Sequence, residues 1–348
     1  MMRLSRFLPV LWAAVIVFSI TGTVVAQGNS DDNKNRHFGV GHPKTTEELP
    51  NGKLRRQLEA LPAKARGKAL GWLQRIEFPL EDIENIHVND AGDVLYADNS
   101  LPSQGDTPLG AFELASESLI DPDKVFKLHS NPGARNTVFL HIDGHIIEST
   151  PAWTSTQLIA LPFDPSQNDN PVTQANFTQD EINRIFEIWH RIAEDFAQFD
   201  IDVTTEEPAD FTPTTGHVLF THTYDANGSS MPYNTGGGVA YVDVFGSSNY
   251  VQTYSPALVY YSNLSSSDLG MPFYNAEAGS HEFGHNLGLS HDGTVNGVTY
   301  YDGSGTGLVS WAPIMGKNYH GNVTAVSYTH LTLPTIVREC RSRWSPYH

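Results

Sequence analysis

Five positions within one short stretch constrain this chain more than anything else in it. From His281 to His291 the sequence reads H-E-F-G-H-N-L-G-L-S-H, which sets His281, Glu282, His285, Gly288 and His291 in the order H-E-x-x-H-x-x-G-x-x-H. Residues i and i+4 share one face of an α-helix, so the spacing predicts a helix that presents His281 and His285 to a single ion. Glu282 follows the first of them, where its carboxylate can reach a metal-bound water without ligating the metal. Gly288 falls where a helix commonly ends in a left-handed residue, a conformation glycine adopts at little cost. The chain can then turn back and supply His291 as a third nitrogen. Three protein ligands and one open position describe a catalytic zinc site, whereas structural zinc sites are closed with four. Zinc would acidify its water and polarise a carbonyl, and Glu282 would take and return the proton. At average residue usage the five positions arise by chance in about one chain of this length in 10⁴–10⁵.

A second feature follows downstream, where Trp311-Ala312-Pro313-Ile314-Met315-Gly316 offers a turn with Met315 beneath the metal. A methionine alone is more often core filler; its place after the histidine motif gives Met315 its weight. The extended motif followed by a methionine turn is the signature of metzincin zinc peptidases. With Asn286, Leu287 and Asp292 as well as the ligands, the segment resembles the reprolysin (adamalysin-like) branch, above all its cysteine-poor bacterial members, over roughly Thr137 to Thr324. The resemblance implies a secreted zinc endopeptidase made as a zymogen. It also implies a cleft in which substrate lies extended beside an open edge strand, corresponding here to Gly238–Phe245. Some metzincins carry a tyrosine two residues after the turn methionine; here that residue is Lys317, so no tyrosine ligand is assigned.

The first 26 residues read as a targeting segment. Arg3 and Arg6 precede an apolar run from Phe7 to Ile20, and small residues at Val24-Val25-Ala26 precede Gln27, the pattern of a secretory signal peptide. The run is shorter than the ~20 residues that span a bilayer, so no stable membrane insertion is expected after its removal. The single cysteine, Cys340, excludes an intrachain disulfide framework, cysteine-based latency and a cysteine zinc site. Charge divides the chain. Residues 27–135 carry 13 Lys/Arg against 17 Asp/Glu, whereas over 136–324 only Arg184, Arg191 and Lys317 oppose 21 acidic residues. Such a surface repels nucleic acid and anionic membranes. Calcium binding is one reading of it, and plain solubility of an exported monomer another.

Residues 27–135 read as a prosegment. Its leader is polar, and His37 and His42 are candidates for touching zinc in a latent form. Leu54 to Ile76 follows a helical pattern that Pro62 and Gly67 interrupt, and Glu77 to Leu95 supplies short strands. Asn131-Pro132-Gly133 is a strong breaker, which places the junction beside Arg135. Residues 136–324 then form the catalytic domain. Thr137–Ile147 suits a buried strand interrupted by Asp143, Gly144 and His145, which mark a bulge, a ribbon turn or an ion site. Thr178 and Glu181 form a capping box before Ile182, Ile185, Phe186, Trp189, Ile192, Ala193 and Phe196, a stripe that packs a helix on a sheet. Strands follow at Asp200–Thr205, His217–Thr223, Val239–Phe245 and Ala257–Ser262, and the zinc helix at Glu277–Leu287.

This order predicts an α/β (α+β) fold: a twisted mixed sheet with packed helices, a zinc helix and a methionine turn, preceded by a prosegment. Asp292 is expected to bond back to the methionine turn and steady His291, and Tyr300, Tyr301 and Trp311 to line or support the primed-side pocket. Residues 325–348 lose the pattern altogether and read as a non-native or disordered tail. Protein or peptide substrates are the expected partners. The alternative function is a secreted, non-catalytic zinc-binding or adhesion module on the same scaffold. A purely structural metal needs no carboxylate beside its first ligand, so Glu282 separates the two readings.

Overall fold

The computed structural model describes residues 43–102, 120–165, 177–264, 271–294, 297–305, 310–317, 319 and 323–325. The signal segment, His37, His42 and the tail beyond Ala325 lie outside these residues, as do any structural expectations for them. Among the described residues no helix is long and apolar enough to cross a membrane.

Among the described residues a seven-stranded mixed sheet organises the chain in the order β1 (Ile86–Val88), β2 (Val94–Asp98), β8 (Gly238–Tyr241), β9 (Ala257–Tyr260), β7 (Thr215–Thr221), β3 (Asn136–His141) and β6 (Ile201–Thr204). Its parallel half is β9, β7, β3 and β6. These strands are buried along their length except for Thr137, as expected for a parallel sheet covered on its faces. Two short antiparallel strands, β4 (His145–Ile147) and β5 (Leu158–Ala160), form a ribbon beyond β3. The break foreseen at Asp143–His145 is therefore real: β3 stops at His141 and β4 starts at His145.

After a single helical turn, α3 (Pro122–Val125), helix α4 (Gln179–Asp195) begins with the foreseen capping box, in which Thr178 and Glu181 bond each other's backbone. It buries Ile182, Ile185, Ile188, Ile192 and Ala193 against the sheet and against α5 (Met271–Asn286). Helix α5 is buried on every side and starts six residues before the expected Glu277. Close approach of the helices depends on Gly279. A Cβ there would sit 2.9 Å from both Ile192 Cδ1 and Phe220 Cζ.

The N-terminal region differs most from expectation. The helical stretch splits at Pro62 into α1 (Lys53–Ala60) and α2 (Ala63–Leu73), because proline lacks the N–H that a continuous helix needs. Strands β1 (Ile86–Val88) and β2 (Val94–Asp98) then join the main sheet, and β2 pairs antiparallel with β8 (Gly238–Tyr241), Asp98 opposite Gly238 and Tyr96 opposite Ala240. Strand β8, expected at an open edge, is thus covered by the chain's own N-terminal region. Apolar burial favours this arrangement. Leu54, Leu58, Trp72, Leu73, Phe78, Ile86 and Tyr96 share one core with Trp153, Val239, Tyr241 and Tyr254, and the Trp72 indole donates to the Val242 carbonyl at 2.9 Å. Short strands β10 (Trp311–Pro313) and β11 (Val323–Ala325) pair in parallel at the far end of the chain.

Candidate metal centre

The rings of His281 and His285 project from the last turns of α5, as i and i+4 dictate. Gly288 has a φ of +95° and ends the helix in the left-handed conformation, its N–H bonding the His285 carbonyl at 2.9 Å. The reversal delivers His291, and the three rings gather with centroids 4.8–5.2 Å apart. Each outer nitrogen is engaged: His281 Nδ1 with the Ile314 carbonyl at 2.7 Å, His285 Nδ1 with the Leu289 carbonyl at 2.7 Å, and His291 Nδ1 with Asp82 Oδ1 at 2.8 Å. These acceptors hold the ring protons at Nδ1, which turns three Nε2 lone pairs toward one centre.

That centre contains a fourth group. Asp98, the last residue of β2, places Oδ2 at 3.2 Å from His285 Nε2 and 3.5 Å from His281 Nε2, and Oδ1 at 2.7 Å from His291 Nε2. In this form of the chain the corner expected to be open holds the Asp98 carboxylate. The four ligating atoms lie within 4.8 Å of one another and all four residues are buried. Tyr96 and Asp98 reach the site together because alternate residues of a strand share a face. Tyr96 stacks on His285 with centroids 4.3 Å apart and donates to Asp82 Oδ2 at 3.0 Å, while the Tyr300 hydroxyl donates to Asp98 Oδ1 at 3.0 Å.

The donor set fits a divalent cation. The inward nitrogens of His281 and His291 are buried without a hydrogen-bond partner, and lone pairs facing a carboxylate repel unless a positive charge lies between them. Protonation of His291 supplies that charge in the ion-free chain, and a bound cation would take its place. Burial holds His285 down at about 4. Burial alone would lower His291 too, but Asp82 and Asp98 outweigh it and raise it to about 10. Burial would raise Asp98, yet His291, His285 and His281 hold it well below the usual carboxylate range. Imidazole nitrogens with one carboxylate oxygen are ligands that zinc accepts.

Glu282 is buried beside this cluster, against strand β8. A Cβ on Gly238 would lie 2.3 Å from Glu282 Oε1, so glycine is what lets the carboxyl approach the strand. Burial first, and Asp98 second, push the Glu282 carboxyl well above the usual range. A small cavity at the site is lined by Asp98, Gly238, His281, Glu282, Tyr300 and Tyr319, among others. Met315 is buried beneath α5, where a Cβ on Gly284 would meet its sulfur at 2.5 Å. The backbone N–H of Asp292 donates to the Met315 carbonyl at 2.8 Å, a main-chain bond that does not involve the carboxylate. Of the three expected pocket aromatics Tyr300 reaches the centre, while Tyr301 and Trp311 pack edge to face 6.0 Å apart and Trp311 stays 42 % exposed. Asp82, Tyr96 and Asp98 escaped the sequence reading. Their only local signal was a strand whose alternate residues, 96 and 98, carry polar groups into a core.

The mixed sheet and the histidine cluster together have the character of a metzincin-like metallopeptidase. More particularly, residues 157–292 match the model of Metallo-peptidase family M12B, Reprolysin-like, a stretch that runs from just before β5 to just past His291 and covers less than half of the chain. The match bears out the resemblance read from the motif and implies protein or peptide substrates. Family M12B enzymes use zinc, and the histidine group is suited to hold it; calcium finds no support. No curated protein and no solved structure matches the chain.

Proposed function

We propose that the chain is an exported zinc-dependent endopeptidase, held latent by its own N-terminal region. The observation that carries this reading is the convergence of His281, His285 and His291 Nε2 on one centre with the Glu282 carboxyl beside it. Zinc bound there supplies Lewis-acid chemistry, polarising a peptide carbonyl and easing deprotonation of water. His281, His285 and His291 hold the ion, and Asp82 and the Ile314 and Leu289 carbonyls orient their rings. Glu282 is the general base and then the general acid, taking a proton on a carboxylate oxygen and returning it to the leaving amine. Met315 supports the zinc helix, Gly288 permits the reversal to His291, and the Asp292 backbone ties that reversal to the methionine turn.

Latency follows from where β2 lies. It pairs antiparallel with β8, the place where an extended substrate would add as a strand, and its Asp98 would occupy a fourth position at a bound ion. Residues 27–135 are then the prosegment, and the exposed turn ending at Arg135, whose side chain is 66 % exposed, is the proposed cleavage point. Secretion after removal of residues 1–26 and a monomeric state complete the proposal.

The shared core between the N-terminal region and the sheet favours a second reading, a non-catalytic zinc-binding module in which Asp98 closes the site for good. One experiment separates them. The full chain is nicked by limited trypsin digestion and offered a random peptide library, with and without chelator, beside the Glu282→Gln variant. Chelator-sensitive cleavage that appears on nicking and is absent from the variant is expected. A nicked, zinc-loaded chain that cleaves nothing sinks the peptidase reading and leaves the closed module.

A further inference from the structure

The break between β3 and β4 has a use outside the centre on α5. Strand β3 ends on His141, Asp143 and Gly144 turn the chain with Gly144 at a φ of +89°, and β4 begins on His145. Strand β7 runs beside β3 in parallel, with His217 opposite Phe139, which brings His217 under this turn. The three rings form a near-equilateral cluster, with centroids 4.8 Å apart for His141 and His145 and 5.0 Å apart for each of the other pairs. Their ligating nitrogens lie within 4.8 Å of one another, His141 and His217 buried and His145 half-buried.

The outer nitrogens of the two buried rings have partners. His141 Nε2 is 3.2 Å from Asp143 Oδ1, and His217 Nδ1 is 3.2 Å from Ser255 Oγ. The inner nitrogens, His141 Nδ1 and His217 Nε2, face each other at 2.8 Å. With Asp143 fixing the His141 proton at Nε2, one inner lone pair is committed to the space between the rings.

We propose that His141 through Nδ1, His217 through Nε2 and His145 form a second transition-metal site, distinct from the one on α5, suited to zinc. Asp143 completes a carboxylate–histidine–metal arrangement of the kind that orients a ligating imidazole. In the metal-free chain Ser255 donates to His217 Nδ1, and the proton on His217 Nε2 bridges to His141. On binding, His217 changes tautomer: the bridging proton leaves Nε2 and a proton is restored at Nδ1, where Ser255 Oγ turns from donor to acceptor, so the ring stays neutral and no net proton is released. An all-imidazole set selects zinc, copper or nickel over calcium and magnesium, which require oxygen ligands. The ion would tie the β3–β4 turn to β7. A plain histidine–histidine hydrogen bond accounts for two of these rings and leaves His145 without a reason to join them.

The test is metal stoichiometry on the full chain, dialysed against zinc and then freed of weakly held ion. Two equivalents are expected for the native chain. One is expected for His145→Ala and one for His285→Ala, with none left in the double variant. A single equivalent in the native chain that His145→Ala retains overturns the site. Should His145→Ala fail to fold, Asp143→Asn, altered at a side chain 60 % exposed, takes its place. The second equivalent then weakens about 10–100-fold, and an unchanged affinity overturns the assignment. The inference does not depend on the peptidase reading, since an inactive chain can bind two ions and an active one can bind a single ion.

Discussion

Asp98 Oδ1 lies 2.7 Å from His291 Nε2, joining the end of β2 to the last histidine of the motif. This contact makes the N-terminal region part of the metal centre. Replacing Asp98 by Asn removes the anionic ligand and leaves β2 paired to β8. In the uncut chain we expect zinc to be retained and a small hydroxamate, which needs only the vacated position, to gain affinity. Peptide cleavage should stay low, because the strand still fills the cleft. Hydroxamate binding followed by calorimetry checks this, and unchanged binding refutes a blocking role for Asp98.

Asp82 is buried and accepts from the His291 ring, the His291 backbone N–H and the Tyr96 hydroxyl. Removing a carboxylate that orients a ligating imidazole typically costs about 10–100-fold in metal affinity. Asp82→Ala should show a loss of that size in the full chain, measured by competition with a chromophoric chelator. Once the N-terminal region has been cut away and separated, native chain and variant should bind zinc alike.

Gly238 sets the position of Glu282. In Gly238→Ala the new methyl would fall 2.3 Å from Glu282 Oε1 and displace the carboxyl. We expect unchanged zinc content and a fall in turnover of about 10²-fold or more, the scale of a lost general base. Turnover near the native level would mean that Glu282 does its work from elsewhere.

His129 gives a pH dependence remote from the metal. Its ring lies 2.6 Å from Asp202 and 2.9 Å from Glu206. Burial works to lower its pKa, but bonding to Glu206 and Asp202 outweighs this and raises it. Folding therefore favours the protonated ring. The stabilisation is full below the unfolded value of about 6.5 and fades as pH rises through the higher folded value. The ring is partly exposed and screened, so the effect is at most about 1 kcal/mol. Urea midpoints from pH 5.5 to 8.5 should fall for the native chain and flatten for His129→Gln; parallel curves would dismiss the ion pairs as a source.

Much of the fold could be read locally. The α4 stripe and its capping box, the end of α5 at Gly288 and the break at Asp143–His145 are set by the period of a helix, by capping chemistry and by the freedom of glycine. Each acts over a few residues. Pro62 follows the same logic, since the helical stretch divides there as expected, whereas at Gly67 α2 runs on unbroken.

The histidine cluster, too, was written into one stretch of sequence, because helical spacing alone brings His281 and His285 together and Gly288 returns His291. What closes the centre was not. Asp82 and Asp98 look like any other acidic residues in an acidic chain; the pairing of β2 with β8 carries Asp98 to the histidine cluster, and Asp82, in the turn before β1, is held there by the Tyr96 hydroxyl and the His291 ring. That pairing is chosen by a core built from residues far apart in sequence, including Trp72, Tyr96, Val239 and Tyr241. Local rules decided which side chains could bind an ion, and long-range burial decided which carboxylate stands in front of it.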